Sequence, residues 1–131
     1  MLSPRWDPTG TRVIAGYEDG LVRVWDVGTS NLIGALAGHE SLVTSISIGP
    51  RGELAVSGSA DNTVVLWDLE KRVAITRWRH GGRVNMVRFL ADGRQVLSAS
   101  NDQTLKLWTV DGSGSSLEDE LALILPNRDL R

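Results

Sequence analysis

Apolar and polar residues alternate along several short stretches of the chain, as they do in β-strands with one buried face. Residues 42–48 follow this alternation, and two β-branched runs, at residues 11–15 and 21–25, flank a turn that contains glycine and aspartate. The same pattern predicts further strands at residues 32–36, 53–57, 63–67, 72–78, 83–89, 94–98 and 104–108. The chain is therefore predicted to be all-β.

The strand pattern repeats at an interval of about 41 residues. Each repeat ends in a tryptophan, and an aspartate stands six residues before it. The tryptophans are Trp25, Trp67 and Trp108, the aspartates are Asp19, Asp61 and Asp102, and the two histidines are His39 and His80. A self-repeat of about 40–45 residues indicates one small sheet per repeat, stacked on its neighbours.

The motifs of the middle repeat resemble those of the WD40-repeat family. They are Gly38-His39, Asp61 and Trp67-Asp68. The resemblance covers residues 5–110 and implies a β-propeller built from four-stranded blades. Three positions depart from the family pattern: Ala15 replaces a serine, Arg79 replaces a glycine and Thr109 replaces an aspartate.

The resemblance divides the chain into about three blades and a C-terminal extension. We expect an incomplete first blade at residues 1–37, with at most a stub of its inner strand, and a complete second blade at residues 38–79. The third blade, at residues 80–110, lacks a recognisable outer strand. Residues 111–116 are predicted to be a flexible Gly/Ser linker, and residues 117–131 form an apolar-acidic tail.

Two structures are compatible with the tail. In a helix, Leu117, Leu121, Ile124 and Leu125 would share one face, with acidic residues in the first turn. Alternatively, residues 121–125 form a strand, which completes either the third blade or the first blade of a neighbouring copy. The sequence leaves this choice open.

A serine, a histidine and an aspartate recur at fixed spacing in the second and third repeats. A Ser-His-Asp catalytic triad occurs once and needs an exposed nucleophile, so a set that recurs in each blade indicates structural bracing and no catalysis. The resemblance implies a buried hydrogen-bond chain from tryptophan through serine and histidine to aspartate. Its members are His39, Ser57, Asp61 and Trp67 in the second blade, His80, Ser98, Asp102 and Trp108 in the third, and Asp19 and Trp25 in the first. Since Ala15 has no hydroxyl, we expect the first blade to fray first.

Two surfaces are candidates for binding. In WD40 proteins one rim of the ring, the top face, presents the residues three and five positions after the histidine and the residue before the aspartate. The matching residues here are Glu18, Leu42, Thr44, Ala60, Arg83, Asn85 and Asn101. This mixed set suits a peptide or protein contact.

The second candidate surface is basic and contains no acidic residue. It comprises Lys71, Arg72, Arg77, Trp78, Arg79 and Arg88, with Arg83 between the last two. The simplest interpretation of this surface is an edge strand whose charged side chains prevent it from pairing with the edges of other sheets. Contact with an acidic protein, or with nucleic acid through arginine beside an aromatic ring, is the alternative.

Composition and charge further limit the kinds of partner and site that the chain is expected to have. The net charge of −2 provides no general attraction to nucleic acid or anionic membranes, and the chain has no cysteine and no apolar run of membrane-spanning length. We expect neither a metal nor a cofactor site.

The sequence predicts a non-catalytic, intracellular protein-interaction module. It is expected to belong to a larger propeller or assembly, because about three blades fall short of the four to eight of a closed ring. The alternatives are a partial propeller that closes by self-association, and a nucleic-acid contact through residues 71–88.

Overall fold

The computed structural model describes residues 4–110 and the backbone of a strand at Gly114–Ser116. In this part of the chain there are β-strands and turns and no helix, which confirms the all-β prediction. The strands are β1 (Arg5–Trp6), β2 (Arg12–Gly16), β3 (Val22–Asp26), β4 (Leu32–Leu36), β5 (Val43–Ile48), β6 (Leu54–Ser59), β7 (Thr63–Asp68), β8 (Val73–Arg79), β9 (Val84–Phe89), β10 (Gln95–Ser100), β11 (Leu105–Thr109) and β12 (Gly114–Ser116).

The strands form three antiparallel sheets of four strands each, and each sheet follows chain order. We call them blade 1 (β1 to β4), blade 2 (β5 to β8) and blade 3 (β9 to β12). The first strand of each blade is its inner strand and the fourth is its outer strand, because β5 and β9 lie against each other while β8 and β12 lie at the sheet edges. This arrangement is a partial propeller, as the repeat predicts.

Each junction between blades encloses its own apolar core. Ile14, Val22, Val24 and Leu36 of blade 1 pack on Val43, Ile46, Ala55, Val65, Trp67 and Leu69 of blade 2. Val56, Val64, Leu66 and Trp78 of blade 2 pack on Val84, Val87 and Val96 of blade 3. Blade 2 is therefore buried on both faces, which explains why its third strand is apolar at consecutive positions.

Close approach of the blades depends on two glycines at the same repeat position. A Cβ atom at Gly16 would lie 2.4 Å from Cγ1 of Val43, and one at Gly58 would lie 2.6 Å from Cγ1 of Val84. Each valine begins the inner strand of the next blade. Glycine at this position lets that strand reach the neighbouring sheet.

The ends of the arc differ from the prediction in one respect. The inner strand of blade 1 is the expected stub, two residues long. Blade 3, however, has an outer strand: residues 114–116, predicted to be flexible linker, pair with Lys106–Trp108 of β11. This pairing corrects the expectation that blade 3 lacks its outer strand. Main-chain hydrogen bonds to an open strand edge need no particular side chains, so glycine and serine can provide them.

The two hypotheses for the tail at residues 117–131 lie outside the described residues, as do residues 111–113 of the linker. Within the described part, no helix has the length and apolar character needed to cross a membrane.

Candidate functional site

Four side chains of blade 2 form a continuous hydrogen-bond chain at one end of the blade. The indole N–H of Trp67 donates to Oγ of Ser57 at 2.8 Å, and Oγ of Ser57 lies 2.6 Å from Nε2 of His39. Nδ1 of His39 lies 3.1 Å from Oδ2 of Asp61. Because an ionised carboxylate only accepts, Nδ1 carries the proton and Nε2 accepts the serine hydroxyl. The chain therefore runs in one direction, from indole to carboxylate.

Blade 3 repeats this arrangement almost atom for atom. The indole N–H of Trp108 donates to Oγ of Ser98 at 2.7 Å, and Nε2 of His80 lies 2.6 Å from that oxygen. Nδ1 of His80 lies 3.1 Å from Oδ2 of Asp102. The recurrence fits bracing of each blade, because each aspartate joins the loop before the inner strand to the turn between the second and third strands.

Burial and hydrogen bonding set the charges in these chains. Burial lowers the pKa of His39 and of His80 more than the neighbouring carboxylates raise it. Burial also opposes ionisation of Asp61, but hydrogen bonds from the Thr63 hydroxyl and from the Glu40 and Thr63 amides outweigh it and lower the pKa of that carboxyl. Asp102 has a lowered pKa for the same balance of causes. At neutral pH each pair is thus a neutral imidazole on a carboxylate.

Sequence reasoning missed one member of each chain. The Thr63 hydroxyl donates to Oδ1 of Asp61 at 2.5 Å and lies 3.1 Å from Nδ1 of His39. Thr104 makes the equivalent contacts in blade 3. An Asp-x-Thr pattern at residues 61–63 and 102–104 was the available signal.

Blade 1 lacks this arrangement in the described residues. Ala15 is fully buried at the serine position, and Asp19 pairs instead with Arg23, whose Nη2 lies 2.8 Å from Oδ2. The Arg23 guanidinium also stacks 4.2 Å above the Tyr17 ring centroid. Trp25 is part-buried on the face turned away from blade 2. The structure therefore does not join Asp19 to Trp25 through serine and histidine.

The hydroxyls in the chains are unsuited to catalysis. Ser57 and Ser98 both have 0% of their surface exposed, and each oxygen is already bonded to an indole and an imidazole. A nucleophile must reach its substrate. Within the described residues, no three His, Cys, Asp or Glu side chains converge as metal ligands would.

The candidate top-face residues lie at the same end of the blades as the histidines. In blade 3, Nδ2 of Asn85 donates to Oδ1 of Asn101 at 2.7 Å, and both side chains are exposed next to Arg83. In blade 2, the Thr44 hydroxyl donates to the Val84 carbonyl across the junction. The remaining residues are Glu18, which is exposed, and Leu42 and Ala60, which are half-buried and joined by a backbone hydrogen bond.

The basic residues do not form one surface, contrary to the sequence interpretation. Lys71, Arg72, Arg77 and Arg79 lie on or beside the outer strand β8, whereas Arg83 and Arg88 lie on or beside the inner strand β9. The chain crosses from the edge of blade 2 to the centre of blade 3 between them. The basic residues of β8 and those of β9 therefore belong to different sheets. Trp78 is buried at 5% exposure and unavailable for stacking on a base.

Comparison with known proteins places these features in a family. The model of the family described as "WD domain, G-beta repeat" matches residues 2–26, 30–68 and 73–109, well over half of the chain. The chain belongs to the WD40-repeat family. A solved β-propeller agrees in fold: the β-propeller domain of Cps50 (Swd1) from Myceliophteria thermophila superposes with a TM-score of 0.82 at 23% identity. The superposition covers 88% of this chain and 38% of that one, and it confirms the propeller fold.

Two relatives illustrate the size of proteins with this repeat. A "Periodic tryptophan protein 2 homolog" of Schizosaccharomyces pombe is 40% identical over 116 residues, which cover 86% of this WD40 chain and 14% of the relative. A "Guanine nucleotide-binding protein subunit beta" of Oryza sativa subsp. japonica is 36% identical over 108 residues, 76% of this chain and 28% of the relative. The chain thus spans a small part of the relatives that it matches.

Proposed function

We propose that the chain is a non-catalytic protein-interaction module, which acts as part of a larger WD40 propeller or assembly inside the cell. One observation carries this proposal. The recurring serine, histidine and aspartate side chains are used within blades 2 and 3, because the hydroxyls of Ser57 and Ser98 are buried and bonded on both sides. What remains accessible at the top face is a mixed set of polar and apolar side chains. Surfaces of such mixed polarity are typical of the sites at which proteins bind one another.

The relatives support the same proposal. The Oryza sativa relative is named as a subunit of a guanine nucleotide-binding protein, which is in keeping with an intracellular assembly. Fold alone does not identify a partner. Within the top face, Arg83 and the pair Asn85–Asn101 offer exposed donors and acceptors in fixed geometry. We therefore assign partner contact to the top end of blade 3.

The test is site-specific photocrosslinking in cells, with benzoylphenylalanine placed at Asn85 on the top face or at Thr29 on the opposite end. Discrete protein adducts from position 85, but not from position 29, are the expected result. The double variant Arg83→Ala, Asn101→Ala should reduce their yield, whereas Lys71→Ala, Arg72→Ala in the turn before the outer strand should not. Equal adducts from both ends, or adducts that survive the top-face variant, would contradict the assignment.

A second candidate function is structural and rests on the open face of blade 3. Val64 of blade 2 and Leu105 of blade 3 occupy the same repeat position, yet Val64 is 0% exposed under blade 3 and Leu105 is 45% exposed. A further blade would cover Leu105. Ala99, however, stands where blade 2 has Gly58, and a methyl there would lie 2.6 Å from the valine of a blade packed in the same way. A next blade packed in the same way would therefore need a residue smaller than valine at the start of its inner strand.

Light scattering distinguishes the two sources of such a blade. A discrete dimer whose formation is blocked by Leu105→Glu supports closure between copies of this chain. A monomer supports the proposal that a longer propeller supplies the missing blade. The third hypothesis, contact with nucleic acid through residues 71–88, keeps only part of its support, because those basic residues lie on or beside two strands of different sheets.

A further inference from the structure

The outer strand of blade 2, β8, lies at a free edge of its sheet. It pairs with β7 on one side, and among the described residues no strand pairs with its other side. Two of its apolar side chains, Val73 and Ile75, are 50% and 48% exposed, and Arg77 and Arg79 are exposed further along the strand. A free edge presents N–H and C=O groups that a further strand can bind.

The β8 edge is positively charged. Residues 71–79 contain four basic residues and no acidic one, and in the described part of the chain none of the four is in an ion pair. The two carboxylates just before this stretch have other partners: that of Asp68 accepts the N–H groups of residues 70 and 71, and that of Glu70 lies 3.9 Å from Arg12. The outer strands β4 and β12 have no charged residue. Positive charge therefore distinguishes the β8 edge from the other two outer edges.

One segment of the chain has the complementary composition, and it lies outside the described residues. Residues 118–120 are Glu, Asp and Glu, and residues 121–125 are all apolar. No basic residue occurs between residues 117 and 125. Acidic residues thus come first in this segment and apolar residues follow. Along β8, read from its C-terminal end, two arginines come first and two exposed apolar residues follow.

The described strand β12 brings the chain to the C-terminal end of β8. The main chain at Ser116 pairs with Lys106, and Nζ of Lys106 lies 3.4 Å from the Arg79 carbonyl oxygen. Both β8 and β12 run toward the top face, so a chain that turns back after Ser116 runs antiparallel to β8. Residues 117–125 outnumber the seven residues of β8, which leaves length for the turn.

We infer that residues 118–124 of this chain bind along the free edge of β8 as an antiparallel fifth strand of blade 2. In an antiparallel pair, side chains on one face lie next to each other. The carboxylates of residues 118–120 therefore lie beside Arg77 and Arg79, and the apolar residues that follow cover Val73 and Ile75. The tail thereby protects the β8 edge from pairing with strands of other molecules.

This inference is independent of the partner contact proposed at the top end of blade 3, because neither Arg83 nor Asn85 takes part in it. Crosslinking from position 85 reports the top face alone, so either proposal can fail without the other.

The experiment is paramagnetic relaxation enhancement in the full chain, with a nitroxide attached at Leu123→Cys. The chain has no natural cysteine, so the label occupies one position. We expect the strongest broadening of amide signals at Val73–Arg79. Strongest broadening elsewhere, for example on the open face of blade 3, or broadening without site preference would overturn the inference.

Charge exchange between the tail and β8 provides the matched comparison. The variant Glu118→Lys, Glu120→Lys alters no residue of the blades and should abolish the selective broadening of β8, because like charges then face each other. Adding Arg77→Glu, Arg79→Glu should restore it. Adding Arg88→Glu, Arg94→Glu instead, which reverses two exposed arginines away from β8, should not. Selective broadening that survives the tail variant, or that both arginine pairs restore equally, would refute the assigned role of the arginines.

Hydrogen exchange tests the main-chain part of the inference. Alternate amides of β8 should exchange about tenfold more slowly in the unmodified chain than in the variant Glu118→Lys, Glu120→Lys, as expected for main-chain hydrogen bonds at a sheet edge. Amides of β4 should exchange alike in both. Equal rates along β8 would refute the strand pairing.

A mixing experiment establishes that the tail belongs to the same molecule. Isotope-labelled chain without a nitroxide is mixed with nitroxide-labelled chain without isotope. We expect no broadening of β8 in this mixture. Broadening of β8 there would show that the tail binds a second copy, which would overturn the assignment to the same chain.

Discussion

Trp78 and Trp108 stack face to face across the junction between blades 2 and 3, with ring centroids 5.1 Å apart and planes inclined by 10°. Trp78 lies on the outer strand of one blade and Trp108 on the third strand of the next. The contact closes the outer edge of the apolar core between these blades. At the junction between blades 1 and 2, Leu36 occupies the position of Trp78. The outer edges of the two cores are therefore packed by different side chains.

Replacing Trp78 by leucine should weaken the second junction. We expect Trp78→Leu to lower the free energy of unfolding by about 1–3 kcal/mol, since it removes ring stacking and leaves part of the space empty. Leucine fits this strand position, as Leu36 of blade 1 shows. The loss of unfolding free energy therefore measures the lost packing of the Trp78 indole. Urea unfolding followed by fluorescence measures it, with the exposed Ile75→Ala as the matched control on the same strand. An unchanged midpoint would mean that the stack contributes nothing.

Removing the carboxylate of blade 2 should destabilise the chain more than removing that of blade 1. Asp61→Ala leaves the His39 N–H and the Glu40 and Thr63 amides without their acceptor, which we expect to lower the free energy of unfolding by about 1–3 kcal/mol. Asp19→Ala, at the same repeat position but exposed beside Arg23, should leave the thermal midpoint nearly unchanged. Equal effects of the two variants would argue against the bracing role.

Stability should decrease as pH falls, in two steps. Unfolding raises the pKa of His39 and His80 toward 6.5 and that of Asp61 and Asp102 toward 3.8, so the unfolded chain binds more protons in both ranges. We expect the free energy of unfolding to fall from pH 7 to pH 5 through the histidines and again below pH 4 through the carboxylates. The double variant His39→Gln, His80→Gln should lose the first step and keep the second.

These pH predictions are checked by urea unfolding at a series of pH values in constant ionic strength. A free energy of unfolding that stays constant or rises between pH 7 and pH 5 would show that the buried imidazoles are not held neutral.

A methyl group at Gly58 should force blades 2 and 3 apart. Its Cβ would lie 2.6 Å from Cγ1 of Val84 and 3.0 Å from Cγ1 of Val87, so we expect Gly58→Ala to lower the free energy of unfolding by about 1–3 kcal/mol through overpacking. The double variant Gly58→Ala, Val84→Ala should recover part of this loss. Failure of the second substitution to rescue the first in thermal unfolding would exclude the steric explanation.

Blade 1 should open before the other blades. Its inner strand has two residues, and Ala15 offers no hydroxyl to Trp25. We expect amide hydrogens of β2 and β3 to exchange faster than those of β6 and β7, because local opening starts where fewer buried contacts hold the strands. Native-state hydrogen exchange measures this directly. Slower exchange in blade 1 would show that the Asp19–Arg23 ion pair stabilises this blade in place of the hydrogen-bond chain found in blades 2 and 3.

Sequence by itself determined the repeat, the order of the strands and the grouping of side chains within each blade. Trp67, Ser57, His39 and Asp61 recur at fixed offsets in the third repeat, because blades 2 and 3 each place one side chain of each kind at the same point of their sheets. A period that persists through three blades can therefore be read without coordinates. The Asp-x-Thr pattern carried the same information but was overlooked.

Only the tertiary structure decided what lies between and beyond the blades. The pairing of residues 114–116 with β11 depends on an open strand edge, and any backbone with free N–H and C=O groups can meet it. The basic run was divided because the chain crosses from an outer to an inner strand between Arg79 and Arg83. A cavity of about 270 Å³ between blades 2 and 3, lined by residues that include Gly49, Leu54 and Val110, likewise forms only when neighbouring blades pack together.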